Sequence, residues 1–418
     1  MSAAQNAAPP AQTPRGGTIS FILITAFLNL AGIGIIVPVI NFIAGRYVSD
    51  PDQLAWVVAL LFAVYSLFQF IATPTLGAVS DRYGRRAILL ICLFGSAIGY
   101  LLLGIGGALW VLFLGRIIDG ITGGNIGIIY AYAADITTPS ERTRFFGLLG
   151  AAAGMGFVIG PAVGGVLYSA TGLLEAPLYA AALVTLLNVI WGYFVMPESL
   201  PPERRSAGLT LGQLNPLVQL SNIFRIPQIR MLLIAILLWT VALAVVQSNV
   251  AYLTEDQLGW TPNETNLLFL LIGLIQVVTQ GMLIRPLVDR YGEGRLALTG
   301  ALVFMGGLIL IGLTTLTGFA PLLFVAVLFT SFGNGLIIPT SSALLSQAVG
   351  MREQGQIQGG NQSIQALGRV LGPLYGGAAY TLLSPASTYF GAALIMLISA
   401  GLMLNALRAL AAHKLRLA

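Results

Sequence analysis

Long apolar runs separated by short polar breaks set the pattern of this chain. Each run is near or above the ~20 residues that a helix needs to cross about 30 Å of hydrocarbon. The pattern predicts twelve transmembrane helices, near residues 18–45, 54–76, 87–106, 109–135, 142–168, 175–196, 229–253, 263–285, 296–316, 320–348, 354–382 and 386–410. Arg116, Asp119 and Arg369 are the main charges inside them. The longest polar interruption, Met196 to Gln228, contains Pro197, Pro201, Pro202, Arg204 and Arg205. It predicts a tail over 1–17, a six-helix half over 18–196, a linker over 197–228, a second six-helix half over 229–410 and a tail over 411–418.

Two repeats support that division. Gly77-Ala78-Val79-Ser80-Asp81-Arg82-Tyr83-Gly84-Arg85-Arg86 returns in eroded form around Asp289-Arg290-Tyr291-Gly292, displaced by 208 residues. The glycines and proline of Gly156-Phe157-Val158-Ile159-Gly160-Pro161-Ala162-Val163-Gly164-Gly165 match Gly368, Gly372, Pro373, Gly376 and Gly377 at an offset of 212. Equal spacing with the same topology predicts an all-α membrane protein of two parallel, pseudo-symmetric halves.

Composition agrees: 57% of residues are hydrophobic and 8% charged, against roughly 25% charged in an ordinary soluble domain. Mean hydropathy is +0.88. Lys and Arg are retained on the cytoplasmic side of short loops. With both termini cytoplasmic, the predicted outer loops hold only Arg46, so the pI near 9.4 is a topogenic signal and implies no nucleic-acid partner. The first seventeen residues lack the basic-then-apolar order of a signal peptide. Cys92 is the only cysteine, which excludes an internal disulfide and a CxxC metal site, and His413, the only histidine, lies in the tail. Lys414 is the only lysine, so no P-loop GxxxxGK[ST] exists; with no HExxH or paired-carboxylate site either, the chain reads as no enzyme. Without cofactor or ATP, energy is expected from an ion gradient, the proton gradient first, or from the substrate's own gradient.

The Asp-Arg-x-Gly-x-Arg loop between apolar helices resembles the loop joining helices 2 and 3 of major facilitator superfamily transporters. The run Arg116-x-x-x-Gly120 resembles the helix 4 motif in which arginine assists proton transfer in drug antiporters, and Gly156 to Gly165 resembles the helix 5 motif of proton-linked drug exporters. Helix 1, Leu28-Asn29-Leu30-Ala31-Gly32-Ile33-Gly34-Ile35-Ile36-Val37-Pro38-Val39, is similar to that of tetracycline-exporter-like proteins. The resemblance spans nearly the whole chain. It implies the twelve-helix drug:proton antiporter branch, a plasma (inner) membrane location and a single chain that works as a monomer. It departs from the pattern twice: Asn29 stands where those exporters commonly carry an acid, and an amide cannot carry a proton, while Arg369 interrupts the second copy of the helix 5 motif.

The resemblance makes Gly77, Asp81, Arg82, Gly84, Arg85, Asp135, Asp289 and Arg290 a conformational latch. Physically, Gly77 and Gly84 permit tight turns, Asp81 suits the positive end of a neighbouring helix, and Arg85 is expected to pair with Asp135. A solvated basic turn that only sets topology is the other reading. Gly156, Gly160 and Gly164 recur on one helix face, the small-residue pattern of close helix approach; Pro161, beside Gly160, deletes a backbone donor and bends the helix. Gly165 completes the motif, which by resemblance shapes the interface between the halves. Arg116 and Asp119 share a helix face, and charges inside a membrane mark a site or a partner. They are either a neutralised structural pair or the proton-coupling pair, with Asp119 the protonatable carboxylate.

A central cavity is expected to draw on Asn29, Gln69, Asn125, Gln247, Asn249, Gln276, Gln280, Asn334, Gln362, Gln365 and Arg369, with Tyr65, Tyr130 and Trp239 as aromatic walls. Each serves equally well as interhelical glue. As a set they describe a wide, amide-rich site for a mostly apolar organic molecule, and Arg369 suits an anionic group on it. The expected function is proton-coupled export of an amphipathic compound by alternating access. A facilitator or symporter for a small nutrient or metabolite, and a lipid or lysolipid flippase, are the alternatives.

Overall fold

A computed structural model describes residues 16–206, 208, 214–347 and 354–417 of the chain. Among them there are helices and no strands. In a bilayer every backbone polar group must be satisfied inside its own segment, and the helix does this. Six of the described α-helices begin with proline, among them Pro51–Tyr83, Pro227–Leu258 and Pro385–Leu417; proline suits the first helical position because its missing N–H would be unpaired there anyway.

The first span is split into α1 (Gly16–Ile36) and α2 (Ile40–Ala44), where Pro38 cannot donate to the ladder. Then come α3 (Pro51–Tyr83), α4 (Arg85–Ile105), and a fourth span in two pieces, α5 (Leu109–Gly123) and α6 (Ile126–Ile136). It breaks at Gly124-Asn125, and a Cβ on Gly124 would lie 2.9 Å from the Thr73 nitrogen of α3. The first half ends with α7 (Pro139–Thr171) and α8 (Ala176–Val195).

After the short α9 (Pro216–Phe224) come α10 (Pro227–Leu258) and α11 (Pro262–Val278). Thr261 caps α11 in a box with Glu264, whose carboxyl the Thr261 hydrogen bonds hold below its usual value. A π-helical turn, Thr279–Leu283, joins α11 to α12 (Ile284–Tyr291). The remaining spans are α13 (Glu293–Thr317), α14 (Ala320–Gln347), α15 (Gln354–Leu382) and α16 (Pro385–Leu417).

Among the described residues eleven helices, counting α5 with α6 and α11 through α12 as one each, are long and apolar enough to cross a membrane. The span missing from that set is α15, whose Gln362, Gln365, Arg369 and glycines lower its hydropathy. It lies inside the bundle against α3 and α10, so it needs less apolar surface for lipid. Packing repeats between the two sets of six spans: α1 lies on α7 as α10 lies on α15, α4 on α5 as α13 on α14, and α4 on α8 as α13 on α16. The sets meet where α3 packs on α15 and α7 on α11.

The expected loop at Asp81 is shorter than its sequence implied. Helix runs to Tyr83 and restarts at Arg85, leaving Gly84 alone at φ 105°, ψ 150°. Gly77 makes no turn; it sits within α3.

Candidate functional site

Glycines bring the fourth span close enough to its neighbours to hide two charges from lipid. A Cβ on Gly115 would lie 2.9 Å from the Gly99 carbonyl of α4, and one on Gly120 would lie 2.5 Å from the Tyr65 carbonyl of α3. Between these contacts Arg116 and Asp119 are each 1% exposed. Their nearest charged atoms are 3.7 Å apart, attraction without a hydrogen bond. Arg116 donates from Nε to the Leu61 carbonyl at 3.0 Å and lies over the Tyr65 ring, 4.1 Å from its centroid. Asp119 turns away toward α4, against Gly99.

Arg116 thus faces a gap between the halves and Asp119 stands behind it. Tyr65, Ser66, Arg116, Gln247, Arg369 and Pro373 line one part of that gap. An adjoining part takes Pro161 from α7 and Gln247, Phe269, Gln276, Phe304 and Asn334 from the second half. The cavity in this second part is about 50 Å³, far smaller than a drug-sized ligand site, so the gap is narrow in this conformation.

Of the expected cavity residues, Gln247, Gln276, Asn334, Arg369 and Tyr65 line the gap, and Asn334 donates to Gln276 at 3.5 Å. Gln69 bridges: its amide nitrogen donates to the Tyr65 hydroxyl and the Gly123 carbonyl at 3.2 and 3.1 Å, and its oxygen accepts from Arg369 at 3.1 Å. The others lie elsewhere. Asn29 donates to Asn125, tying α1 to the break in the fourth span. Trp239, 3% exposed, sits in the apolar core. Asn249 accepts from Ser248 at 2.6 Å beneath Gly376. Tyr130 meets Phe146 edge-on at 5.2 Å, and Gln280 lies beside Gly154. Gln362 and Gln365 are half-buried on α15 and border neither part of the gap. Amides on apolar helices look alike in one dimension, and packing decides which of them face the gap. Phe269, Phe304 and Ser66 carried no signal that separates them from ordinary helix residues.

The helix 5 glycines do not lie between the halves. A Cβ on Gly156, Gly160 or Gly164 would run into the carbonyls of Phe27, Ala31 and Ile35, so this face seats α7 on α1 within the first half. Gly165 is buried on the same helix. Gly154 and Pro161 turn toward the second half.

At the α3–α4 turn, Arg85 pairs with Asp81 and, from Nε, with Asp135 at 3.3 Å, as expected. Among the described residues the side-chain partner of Asp81 is Arg85 across the turn, and no hydrogen bond from a neighbouring helix N-terminus to its carboxylate is seen. Sequence reasoning missed the segment after α8. Glu198 accepts from the Arg85 and Arg86 backbone nitrogens at 2.8 and 3.3 Å, capping α4, and Ser199 donates to Asp135 at 2.9 Å. Ser206 N–H donates to the Asp81 carbonyl at 3.0 Å. The Pro197-Glu198-Ser199 triplet was the available signal. Arg82, by contrast, lies over Tyr83 at the surface, and Asp289 and Arg290 are exposed.

On the opposite face the halves are joined directly. Asn41 donates to Glu255 at 2.8 Å and the Tyr252 hydroxyl to the Pro51 carbonyl at 2.6 Å.

Comparison with known proteins follows the same outline. The sequence model of the Major Facilitator Superfamily matches residues 22–275 and 244–415. Tetracycline resistance protein, class C, of Escherichia coli is 34% identical over 390 residues, covering 93% of this chain and 95% of that protein. Multidrug resistance protein 2 of Bacillus subtilis (strain 168) is 28% identical over 378 residues, 87% of this chain and 89% of its own. The crystal structure of the human organic anion transporter MFSD10 (TETRAN) superposes with a TM-score of 0.72 at 24% identity, over 94% of this chain and 100% of that one, a likeness of fold.

Proposed function

This chain belongs to the Major Facilitator Superfamily, a family of membrane transporters, and we propose that it exports an amphipathic, tetracycline-like organic compound in exchange for protons by alternating access. The observation that carries this reading is the Arg116–Asp119 pair: two opposite charges, fully buried, 3.7 Å apart, with only the arginine on the gap. Protonating Asp119 removes the one carboxylate beside Arg116. The guanidinium then depends on Tyr65, the Leu61 carbonyl and whatever fills the gap. Because Leu61, Tyr65 and Gln69 all lie on α3, which packs on α15 of the other half, the change reaches the interface between halves.

In this reading residues 18–196 and 229–410 rock about the α3–α15 and α7–α11 contacts, with 197–228 as linker. The Asn41–Glu255 and Tyr252–Pro51 bonds close one face and must break for the other state. The network at Gly84 latches the opposite face. The protein works as a monomer in the bacterial inner membrane with both termini cytoplasmic and uses no cofactor. Asn29, hydrogen-bonded to Asn125, carries no proton, so Asp119 acts alone.

The test uses inside-out vesicles with an imposed pH gradient, scoring proton release on adding tetracycline, fluoroquinolones and cationic dyes to wild type and Asp119→Asn. Release in wild type and its loss in the variant is the expected result. Drug uptake without proton movement would leave a facilitator and remove the antiport.

A further inference from the structure

Of the two arginines on the gap, only one has a carboxylate. Arg116 pairs with Asp119. Arg369 pairs with no carboxylate among the described residues; its Nη2 donates to Gln69 at 3.1 Å and its Nε is buried without a hydrogen-bond partner. A guanidinium at membrane depth is costly unless a partner compensates it. The helix geometry aims it inward. A Cβ on Gly368 would lie 2.7 Å from the Thr240 Cβ, and one on Gly372 would lie 2.6 Å from the Val241 carbonyl. These two glycines press α15 onto α10, and the Arg369 side chain reaches instead to α3 and the gap. Around it Ile33, Val37, Phe62 and Ala244 supply apolar wall.

We propose that Arg369 is an oxyanion subsite: the substrate carries one carboxylate-like group on an apolar body, docks it on Arg369, and in doing so takes that guanidinium from Gln69. The planar fork of arginine matches a carboxylate with two parallel N–H donors, a stronger pairing than one bond to a neutral amide. The Arg369–Gln69 bond joins α15 to α3 across the halves, whereas Gln69 keeps its other two bonds within the first half. Substrate binding therefore loosens one of the contacts that hold the halves together. This rests on the reading of the gap as a transporter's substrate site, and it does not depend on proton coupling.

The experiment is equilibrium binding to purified protein, using three acid–amide pairs of growing size: phenylacetate, 1-naphthaleneacetate and 4-(1-pyrenyl)butyrate, each against its primary amide. Wild type should prefer the acid by about tenfold to a hundredfold, the worth of one charge-assisted pair. Arg369→Gln should erase the preference and Arg369→Lys keep part of it. Gln69→Ala should strengthen acid binding, because the competing acceptor is gone; a residue that only braced the fold would weaken it. Melting temperatures without ligand establish that each variant is folded. Equal binding of acid and amide, no binding of any acid at millimolar concentration, or a preference that survives Arg369→Gln would overturn the proposal. A normal acid preference alongside failed proton release in vesicles would instead remove only the antiport.

Discussion

The turns at Gly84 and Gly292 join equivalent helices with nearly the same backbone, φ 105°, ψ 150° and φ 75°, ψ 157°. Both angles lie where essentially only glycine is at ease. Their surroundings differ. At Gly84 a Cβ would strike the Glu198 carboxylate, and Arg85 is 8% exposed between Asp81 and Asp135. At Gly292 a Cβ would meet open space, the residue after the turn is Glu293, and its partner is a surface amide, Gln347, at 3.1 Å. The repeat has kept the demand of the backbone and the preceding Asp-Arg pair, but Glu293 and Gly294 stand in place of Arg85 and Arg86. The segment after α8 explains much of the difference, because it folds back over the first turn with Glu198 and Ser199.

Substitutions can break this comparison in order of size. Gly84→Ala combines backbone strain of about 1–3 kcal/mol with displacement of the α4 cap, on the order of another 1 kcal/mol. Gly292→Ala meets the strain alone, so thermal unfolding in detergent should fall further for the first. Equal losses would mean that Glu198 contributes nothing. Arg85→Ala should cost about 2 kcal/mol and most transport: a broken buried pair costs more, but half of the Asp81 side chain is exposed and screened. Arg290→Ala, at the surface, should stay within about 0.5 kcal/mol. Glu198→Gln keeps an acceptor for α4 and removes the charge at its N-terminus, which predicts under about 1 kcal/mol and a measurable fall in transport rate. The smallest effect is expected from Glu293→Arg, which restores the first-half sequence without a Glu198 to cap the helix. If that variant gained stability like the first turn, the local sequence alone would explain the latch.

The Arg116 and Asp119 positions were legible in the sequence because charge inside an apolar run has few explanations. Arg85 with Asp135 was legible through residue type and spacing. The glycine face at Gly156 was legible as a packing surface, but its partner was not: periodicity shows that a face is small, and the carbonyls of α1 that fill it come from a different stretch of chain. Nor did the amide list separate Gln247, on the gap, from Asn249, two residues on and turned into the core.

By itself the sequence determined the spans, their parallel repeat, the polar α15 and the glycine turn at Gly84, since hydropathy and backbone freedom are properties of local residues. Only the tertiary structure decided that Arg116 faces the gap while Asp119 does not, that Glu198 covers one turn and leaves the other bare, and that Arg369 reaches Gln69. Those residues lie 300 positions apart. Such a contact depends on how closely glycines let helices approach and on the direction each side chain takes from its helix, and neither is written in a run of apolar residues.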